Sequence, residues 1–176
     1  MKRLVVTDTG PLVIFARSGR LDIVLGVAER VIVTETVRRE CTANILKPGA
    51  VEIAKALGDG RLTTVADVVN PAIEKTHLDP GEKSAIAYAI SLPPKDGTLL
   101  MDERRGRSVA ALHGLAVIGS AGLLVVAKRL ELITSVAQVL DDWEKVGYWL
   151  DSSVVKTVLS MAGEVPPSTR KNPNRP

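Results

Sequence analysis

Residues 4–16 read LVVTDTGPLVIFA, a short apolar run followed by an aspartate, a Gly-Pro pair and a second apolar stretch. Leu4 to Thr7 predicts a buried strand, since apolar and β-branched residues stand together there without polar alternation. Pro11 suits the first position of a helix, where its missing N–H leaves no hydrogen bond unmade. The chain is therefore expected to open with a strand, then Asp8, then a helix.

The same alternation of short apolar runs with amphipathic stretches continues along the chain. Four further strands are predicted, at 31–33, 62–65, 98–101 and 115–118. Two late helices are predicted at about 134–146 and 152–162, with Thr134 and with Ser152 or Ser153 as their caps. Strands that alternate with helices indicate a parallel sheet with right-handed crossovers.

The composition agrees with an α/β domain. Of 176 residues 45% are hydrophobic but only 3% are aromatic, so the core must be aliphatic, which suits helices packed on a parallel sheet. The formal net charge of +3 is compatible with a nucleic-acid partner but does not establish one.

Location and domain limits are also predicted from the sequence. Cys41 is the single cysteine, so no internal disulfide can form and a reducing compartment fits. The most apolar run, 115–127, is too short to cross a bilayer, and we predict a cytoplasmic protein without a membrane partner. One domain is expected over 1–163, followed by a flexible, basic and proline-rich tail over 164–176.

Two aspartates follow predicted strands, where ligands bind in an open parallel sheet. The alternative is that Asp8 and Asp102 each cap the next helix. Asp8 is poorly placed for capping, because a helix that begins at Pro11 would be capped by Thr9 or Gly10. For Asp102 the two readings stay open.

Two glutamates complete the set of candidate acids. Glu40 lies late in its helix, where its charge opposes the helix dipole, so the alternative to a site is a solvated surface charge. Glu82 stands three residues after Asp79, which is the spacing of a capping box. We expect that Glu82 could serve both the box and a site only if its carboxylate left the backbone.

The four acids recur with their flanking residues in four segments, VVTDTGPLVIFARSGRLDIVL (5–25), ERVIVTETVRREC (29–41), LDPGEKSAIAYA (78–89) and LLMDERRGRSVAALHGLAVIGSAGLLVVAK (99–128). This joint pattern resembles the PIN-domain nucleases, in particular a VapC-like branch with Asp-Thr-Gly-Pro-Leu at the first acid. The resemblance covers roughly residues 3–163.

The resemblance implies a three-layer α/β/α fold with a parallel sheet of about five strands in the order 3-2-1-4-5. In that order the first and fourth strands are neighbours, so Asp8 would lie beside Asp102. The family's catalytic, metal-binding acids map onto Asp8, Glu40, Glu82 and Asp102, with Thr9 and Ser120 as supporting residues. Carboxylates are the hard ligands that Mg²⁺ or Mn²⁺ prefers.

The chain departs from the family pattern at two places. Many members carry a polar residue where this chain has Gly10. Many also carry a further acid near the last turn, where Ser120-Ala121-Gly122 offers none. Whether one metal or two would bind therefore stays open.

Three arginines, Arg104, Arg105 and Arg107, begin the helix after Asp102. They are either a solvated helix face or contacts to the phosphates of RNA.

The resemblance implies a metal-dependent endoribonuclease, and among proteins of this size the toxin of a VapBC-type toxin–antitoxin pair. A small antitoxin and a homodimer would then be its protein partners. The alternative is a catalytically inactive PIN-like module that binds RNA or protein. The Asp8-Thr9-Gly10 signature of aspartic proteases is set aside, because those enzymes need two such loops on β-rich lobes.

Overall fold

The computed structural model describes residues 4–94 and 96–164, in which five strands form one parallel sheet. The strands are β1 (Leu4–Thr7), β2 (Arg30–Thr34), β3 (Leu62–Val65), β4 (Gly97–Leu100) and β5 (Val117–Ile118). Their order is β3-β2-β1-β4-β5, and every neighbouring pair is parallel. The predicted α/β class and strand order are confirmed.

Helices connect the strands and complete the chain after β5. They are α1 (Thr9–Arg17), α2 (Leu21–Gly26), α3 (Glu35–Thr42), α4 (Ala50–Gly58), α5 (Pro71–Glu74), α6 (Pro80–Ser91), α7 (Arg104–Leu112), α8 (Ser120–Arg129), α9 (Val136–Lys145) and α10 (Ser152–Met161). None of those within the described part of the chain is both long enough and apolar enough to cross a membrane.

The sheet is buried on both faces, and consecutive residues of β1 enter different cores. Val5 belongs to an apolar cluster built with α1, α2, α4 and α8–α10, whereas Val6 belongs to a second cluster built with α6 and α7. Successive side chains of a strand point to opposite faces, so one strand serves both layers. The result is the three-layer α/β/α arrangement.

The first helix begins earlier than the sequence predicts. It starts at Thr9, and Asp8 occupies the cap position without using its side chain as a cap. Pro11 is therefore the third helical residue, which is tolerated because no N–H of the first turn has an intrahelical partner. The short helix α5, capped by Asn70, was not predicted.

The caps of the two late helices differ from the predicted ones. The cap of α9 is one residue later, and the cap of α10 is the residue before the two predicted serines. Ser135, not Thr134, caps α9, and its hydroxyl accepts a hydrogen bond from a first-turn N–H at 3.2 Å. Asp151, not Ser152 or Ser153, caps α10 through a hydrogen bond of 2.7 Å from a backbone N–H. In each case the cap is the last residue before the helix, and its oxygen reaches the first-turn donors.

Glu164 ties the end of the described chain to α9. Its carboxylate accepts hydrogen bonds from Lys128 Nζ at 2.7 Å, Val136 N at 2.6 Å, Ala137 N at 2.8 Å and Ser135 Oγ at 3.0 Å. Burial alone would raise its pKa, but these donors hold the pKa of Glu164 at about 2. The rest of the predicted tail, 165–176, lies outside the described residues.

Candidate active site

Asp8 and Asp102 lie side by side at the carboxyl edge of the sheet. Strands β1 and β4 pair with Thr7 opposite Leu100, and Asp8 N donates to Leu100 O at 3.0 Å. Asp102 follows two residues after Leu100. The strand order therefore brings the two aspartates together from distant parts of the chain.

Asp8 is the most buried carboxylate at this edge after Glu82, with 7% of its surface exposed. Its pKa is raised to about 7, first by burial and then by the negative charges of Glu82, Glu40 and Asp102, against a hydrogen bond from the backbone of Thr9. The other three sequence-predicted acids thus lie close enough to Asp8 to raise its pKa. Without a cation, Asp8 is partly protonated at neutral pH.

Glu40 reaches the edge from the end of α3. Its carboxylate is exposed, as a solvated charge would be, but Thr9 Oγ1 donates a 2.5 Å hydrogen bond to Glu40 Oε2. A Cβ atom on Gly81 would lie only 2.5 Å from the same oxygen. Glu40 is therefore fixed between Thr9 and the first turn of α6, which is more than a free surface charge would need.

Glu82 divides its two carboxylate oxygens. Oε2 accepts a hydrogen bond from Asp79 N at 2.9 Å as part of a capping box, whereas Oε1 is buried and has no hydrogen-bond partner within the described chain. The expectation that this carboxylate would have to leave the backbone to serve a site stays a prediction, and in the structure one oxygen holds the cap while the other is free of hydrogen bonds within the described residues.

The surroundings of Glu82 raise the pKa of its carboxyl group above the ordinary value. Burial is the largest cause that raises its pKa, and the charges of Asp79 and Glu103 add to it. The Asp79 N–H and the charge of Arg105 act in the opposite direction. An unpartnered buried oxygen is costly unless a ligand or ion satisfies it.

Asp102 is held by the turn before α8 and does not cap α7, whose cap position belongs to Glu103. Ser120 N donates to Asp102 Oδ1 at 2.7 Å, and Ser120 Oγ donates to Oδ2 at 2.6 Å. Ser120 is fully buried, so this two-point contact is sheltered from water. The supporting position predicted for Ser120 is thus in direct contact with the fourth acid.

Tyr148 also reaches Asp102, although nothing in the sequence singled it out for the site. Its pKa is raised to about 12 by burial, by the charge of Asp102 and by a hydrogen bond to that carboxylate. Its ring packs edge-to-face on buried Trp143 at 5.5 Å between centroids. Gly147, whose φ is 79°, permits the turn before Tyr148 but does not point to Asp102.

Cys41 lies next to the acids but is not a candidate ligand or nucleophile. Burial raises the pKa of its thiol to about 12, and the charges of Glu40 and Asp8 add to the effect. The thiol is therefore neutral at physiological pH, and only the thiolate binds metal or attacks. Cys41 is buried and belongs to the larger apolar cluster.

The donor chemistry at this edge fits a hydrated hard cation. In the described ranges, no three His, Cys, Asp or Glu side chains are grouped so that they could hold an ion by themselves. Mg²⁺ does not need such a cage, because it keeps several waters and binds through one or two carboxylates. The raised pKa of Asp8 and the unpartnered Glu82 Oε1 are the observations that favour a cation here.

Comparison with known proteins agrees with this geometry. The sequence profile of a family described as PIN domain matches residues 4–164, which is nearly the whole of the described chain. A search among curated proteins found no match. The profile, the strand order and the four acids lead to one conclusion: the chain belongs to the PIN-domain family.

Proposed function

We propose that the protein is a Mg²⁺- or Mn²⁺-dependent endoribonuclease that hydrolyses RNA phosphodiesters. Membership of the PIN-domain family, whose members are generally nucleases, supports the nuclease class. The observation that carries the proposal is the gathering of four acids at one sheet edge, where burial and then repulsion by Glu82, Glu40 and Asp102 raise the pKa of Asp8. Proteins keep such repulsion where a cation offsets it.

In this proposal Asp8, Glu40, Glu82 and Asp102 would hold a hydrated ion, one or two of them directly and the others through its waters. Such an ion supplies Lewis-acid chemistry, since it activates water and offsets charge on the phosphate. The other side chains position these acids: Thr9 orients Glu40, and the Ser120 and Tyr148 hydroxyls orient Asp102. Hydrogen bonds of this kind keep a ligand oriented before the ion arrives.

The finer reading, a VapC-like toxin with a small antitoxin and a homodimeric state, rests on the sequence resemblance. It predicts a binding partner that covers the carboxylate edge and suppresses cleavage. A cytoplasmic location belongs to the same proposal.

The proposal is tested by incubating labelled RNA with purified protein, with and without Mn²⁺ and after chelation. Cleavage is expected only with the ion, and Asp8→Asn and Asp102→Asn should abolish it. Asp141→Asn, which changes an exposed acid on α9, is the matched control and should cut like wild type.

Two results would contradict the proposal. Cleavage that persists in both site variants would identify a contaminating nuclease. A protein that binds RNA or another protein but never cuts would be the inactive PIN-like module.

A further inference from the structure

A cavity of about 400 Å³ opens beside Asp102 and is lined by one face of α7. Its helical lining residues are Arg104, Arg107, Ser108 and Ala111. These positions are spaced i, i+3, i+4 and i+7, so they form a single stripe along the helix. The stripe begins next to the fourth acid and runs away from it.

Arg105 lies on a different side of the same helix. One residue turns an α-helix by about 100°, which takes Arg105 out of the stripe, and it does not line the cavity. Its charge acts instead on Glu82. The buried side of α7 is formed by Gly106 and Ala110, so the stripe faces away from the core.

Arg107 reaches back toward Asp102 across a glycine. From the point where a Cβ atom on Gly119 would stand, Arg107 Nη1 is 2.7 Å away and Asp102 Oδ1 is 3.1 Å away. A side chain at Gly119 would therefore displace the guanidinium, the carboxylate or both. Because Gly119 has no side chain, the Arg107 guanidinium and the Asp102 carboxylate can both approach this position.

The charges of the stripe are available to a ligand. Arg104 and Arg107 are exposed, and within the described ranges neither forms an ion pair with a carboxylate. Ser108 Oγ donates its hydrogen to Arg104 O at 2.9 Å, so Ser108 and the small Ala111 shape the cavity, whereas the arginines supply the donors. Two guanidinium groups that line one cavity are suited to phosphate oxygens.

We propose that this cavity is a subsite for a backbone phosphate of single-stranded RNA, adjacent to the phosphodiester that is cut, with Arg104 and Arg107 as its ligands. The inference rests on the proposed function for the identity of the strand. It narrows the three sequence-predicted arginine contacts to two and excludes Arg105 from them.

The test measures binding of a labelled single-stranded RNA oligonucleotide in chelator, where cleavage is not required, over a range of salt concentrations. Arg104→Ala and Arg107→Ala should each weaken binding several-fold and reduce the salt slope by roughly 0.7, the share of one phosphate contact on a single strand. Arg107→Lys keeps the charge but loses the paired donors, so its affinity should fall between wild type and Arg107→Ala.

Arg105→Ala is the matched control, because it removes the same charge from the same turn of the helix. It should bind RNA within about two-fold of wild type, since charge alone has a weak effect at a distance in salt. Equal weakening by all three alanine variants would mean a diffuse positive surface and would overturn the subsite. An unchanged salt slope in Arg104→Ala and Arg107→Ala would overturn it too.

Binding and cleavage separate this inference from the proposed function. If wild-type protein cuts RNA and the arginine variants bind RNA as tightly as wild type, the subsite is overturned and the nuclease proposal stands. If wild-type protein binds RNA through the two arginines but never cuts it, the subsite stands and the nuclease proposal is overturned. Failure of the wild type to bind RNA at all would overturn the subsite.

Discussion

Glu82 Oε1 lies 2.6 Å from the point that a Cβ atom on Gly106 would occupy, although the two residues belong to different helices. The sulfur of Met101 is 2.5 Å from the same point. The glycine therefore makes the space in which the unpartnered oxygen of Glu82 stands.

We predict that Gly106→Ala lowers both stability and metal affinity. In an open helix the exchange would stabilise by up to about 1 kcal/mol, because alanine loses less backbone entropy. Here the added methyl group must push Glu82 or Met101 aside. The measurements are the melting temperature in chelator and the concentration of Mn²⁺ that produces half of the thermal shift.

Gly58→Ala is the control for this substitution. Gly58 is also a helical glycine, the last residue of α4, but a Cβ atom there would meet no neighbour within 4 Å. Its metal response should equal that of wild type. A Gly106→Ala protein that is as stable and as responsive as Gly58→Ala would show that Glu82 has room to move.

The second prediction concerns pH. The pKa of Asp8 is raised from 3.8 to about 7 in the folded chain, so the folded state binds its proton more tightly than the unfolded state does. The free energy of unfolding of chelated protein should therefore fall as pH rises from 3.8 toward 7, by about 1.4 kcal/mol per unit of pKa difference at most. Thermal unfolding at a series of pH values in chelator measures this.

Asp8→Asn should flatten that pH dependence and raise the melting temperature of chelated protein at neutral pH, because an amide carries no charge to repel Glu40, Glu82 and Asp102. Millimolar Mn²⁺ should stabilise wild type at neutral pH and have little effect on the variant. Wild-type stability that is constant between pH 4 and pH 7 in chelator would contradict the repulsion.

The third prediction is that Tyr148→Phe weakens metal binding by about ten-fold while the fold is kept, since partners of ligands typically contribute this much. The ring and its packing on Trp143 remain, and only the hydroxyl beside Asp102 is lost. Titration with Mn²⁺, followed by the thermal shift, measures the change. Tyr88→Phe, on α6 in the second apolar cluster, is the control and should titrate like wild type. Identical titrations of all three proteins would place the hydroxyl outside the site.

The fourth prediction concerns Glu164, which supports α9. Glu164→Gln should lower the free energy of unfolding at neutral pH by about 1–3 kcal/mol, because charged hydrogen bonds become neutral ones. Since the pKa of Glu164 is lowered to about 2, wild type should lose this advantage as pH falls from 4.5 toward 2. Chemical denaturation at neutral and acidic pH measures both effects.

The matched control is Glu144→Gln, which changes an exposed acid on α9, the helix that Glu164 supports. Its stability should remain within about 0.5 kcal/mol of wild type. A comparable loss in both variants would indicate a general charge effect and not the contacts of Glu164.

Strand positions could be predicted from the sequence because the central strands are buried on both faces, whereas the sheet order was implied by the resemblance to PIN domains. Val5, Val6 and their neighbours stand as uninterrupted apolar runs, since each face has its own helical layer to pack against. Given the order 3-2-1-4-5, the meeting of Asp8 and Asp102 follows from the pairing of β1 with β4.

The finer structure of the site could not be predicted, because it consists of contacts between segments far apart in the chain. Tyr148 meets Asp102, Gly106 makes room for Glu82, and Gly81 makes room for Glu40, without any local pattern that marks them. The capping box could be predicted from the spacing of Asp79 and Glu82. That Glu82 Oε2 binds the backbone while Oε1 has no hydrogen-bond partner among the described residues depends on the position of the side chain, which the spacing does not give. Helix starts were missed for a similar reason, since neighbouring Ser, Thr and Asp residues compete for one cap.

The central place of β1 has a consequence for synthesis of the protein. Its residues are translated before those of its two neighbours, β2 and β4, and β4 is made only after α6 is complete. Until then Asp8 ends a strand with an open side, and Ser120 and Tyr148 have not yet been translated. Asp8 and Asp102 can therefore meet only after β4 has been made, and Asp102 gains its contacts only when Ser120 and Tyr148 have followed.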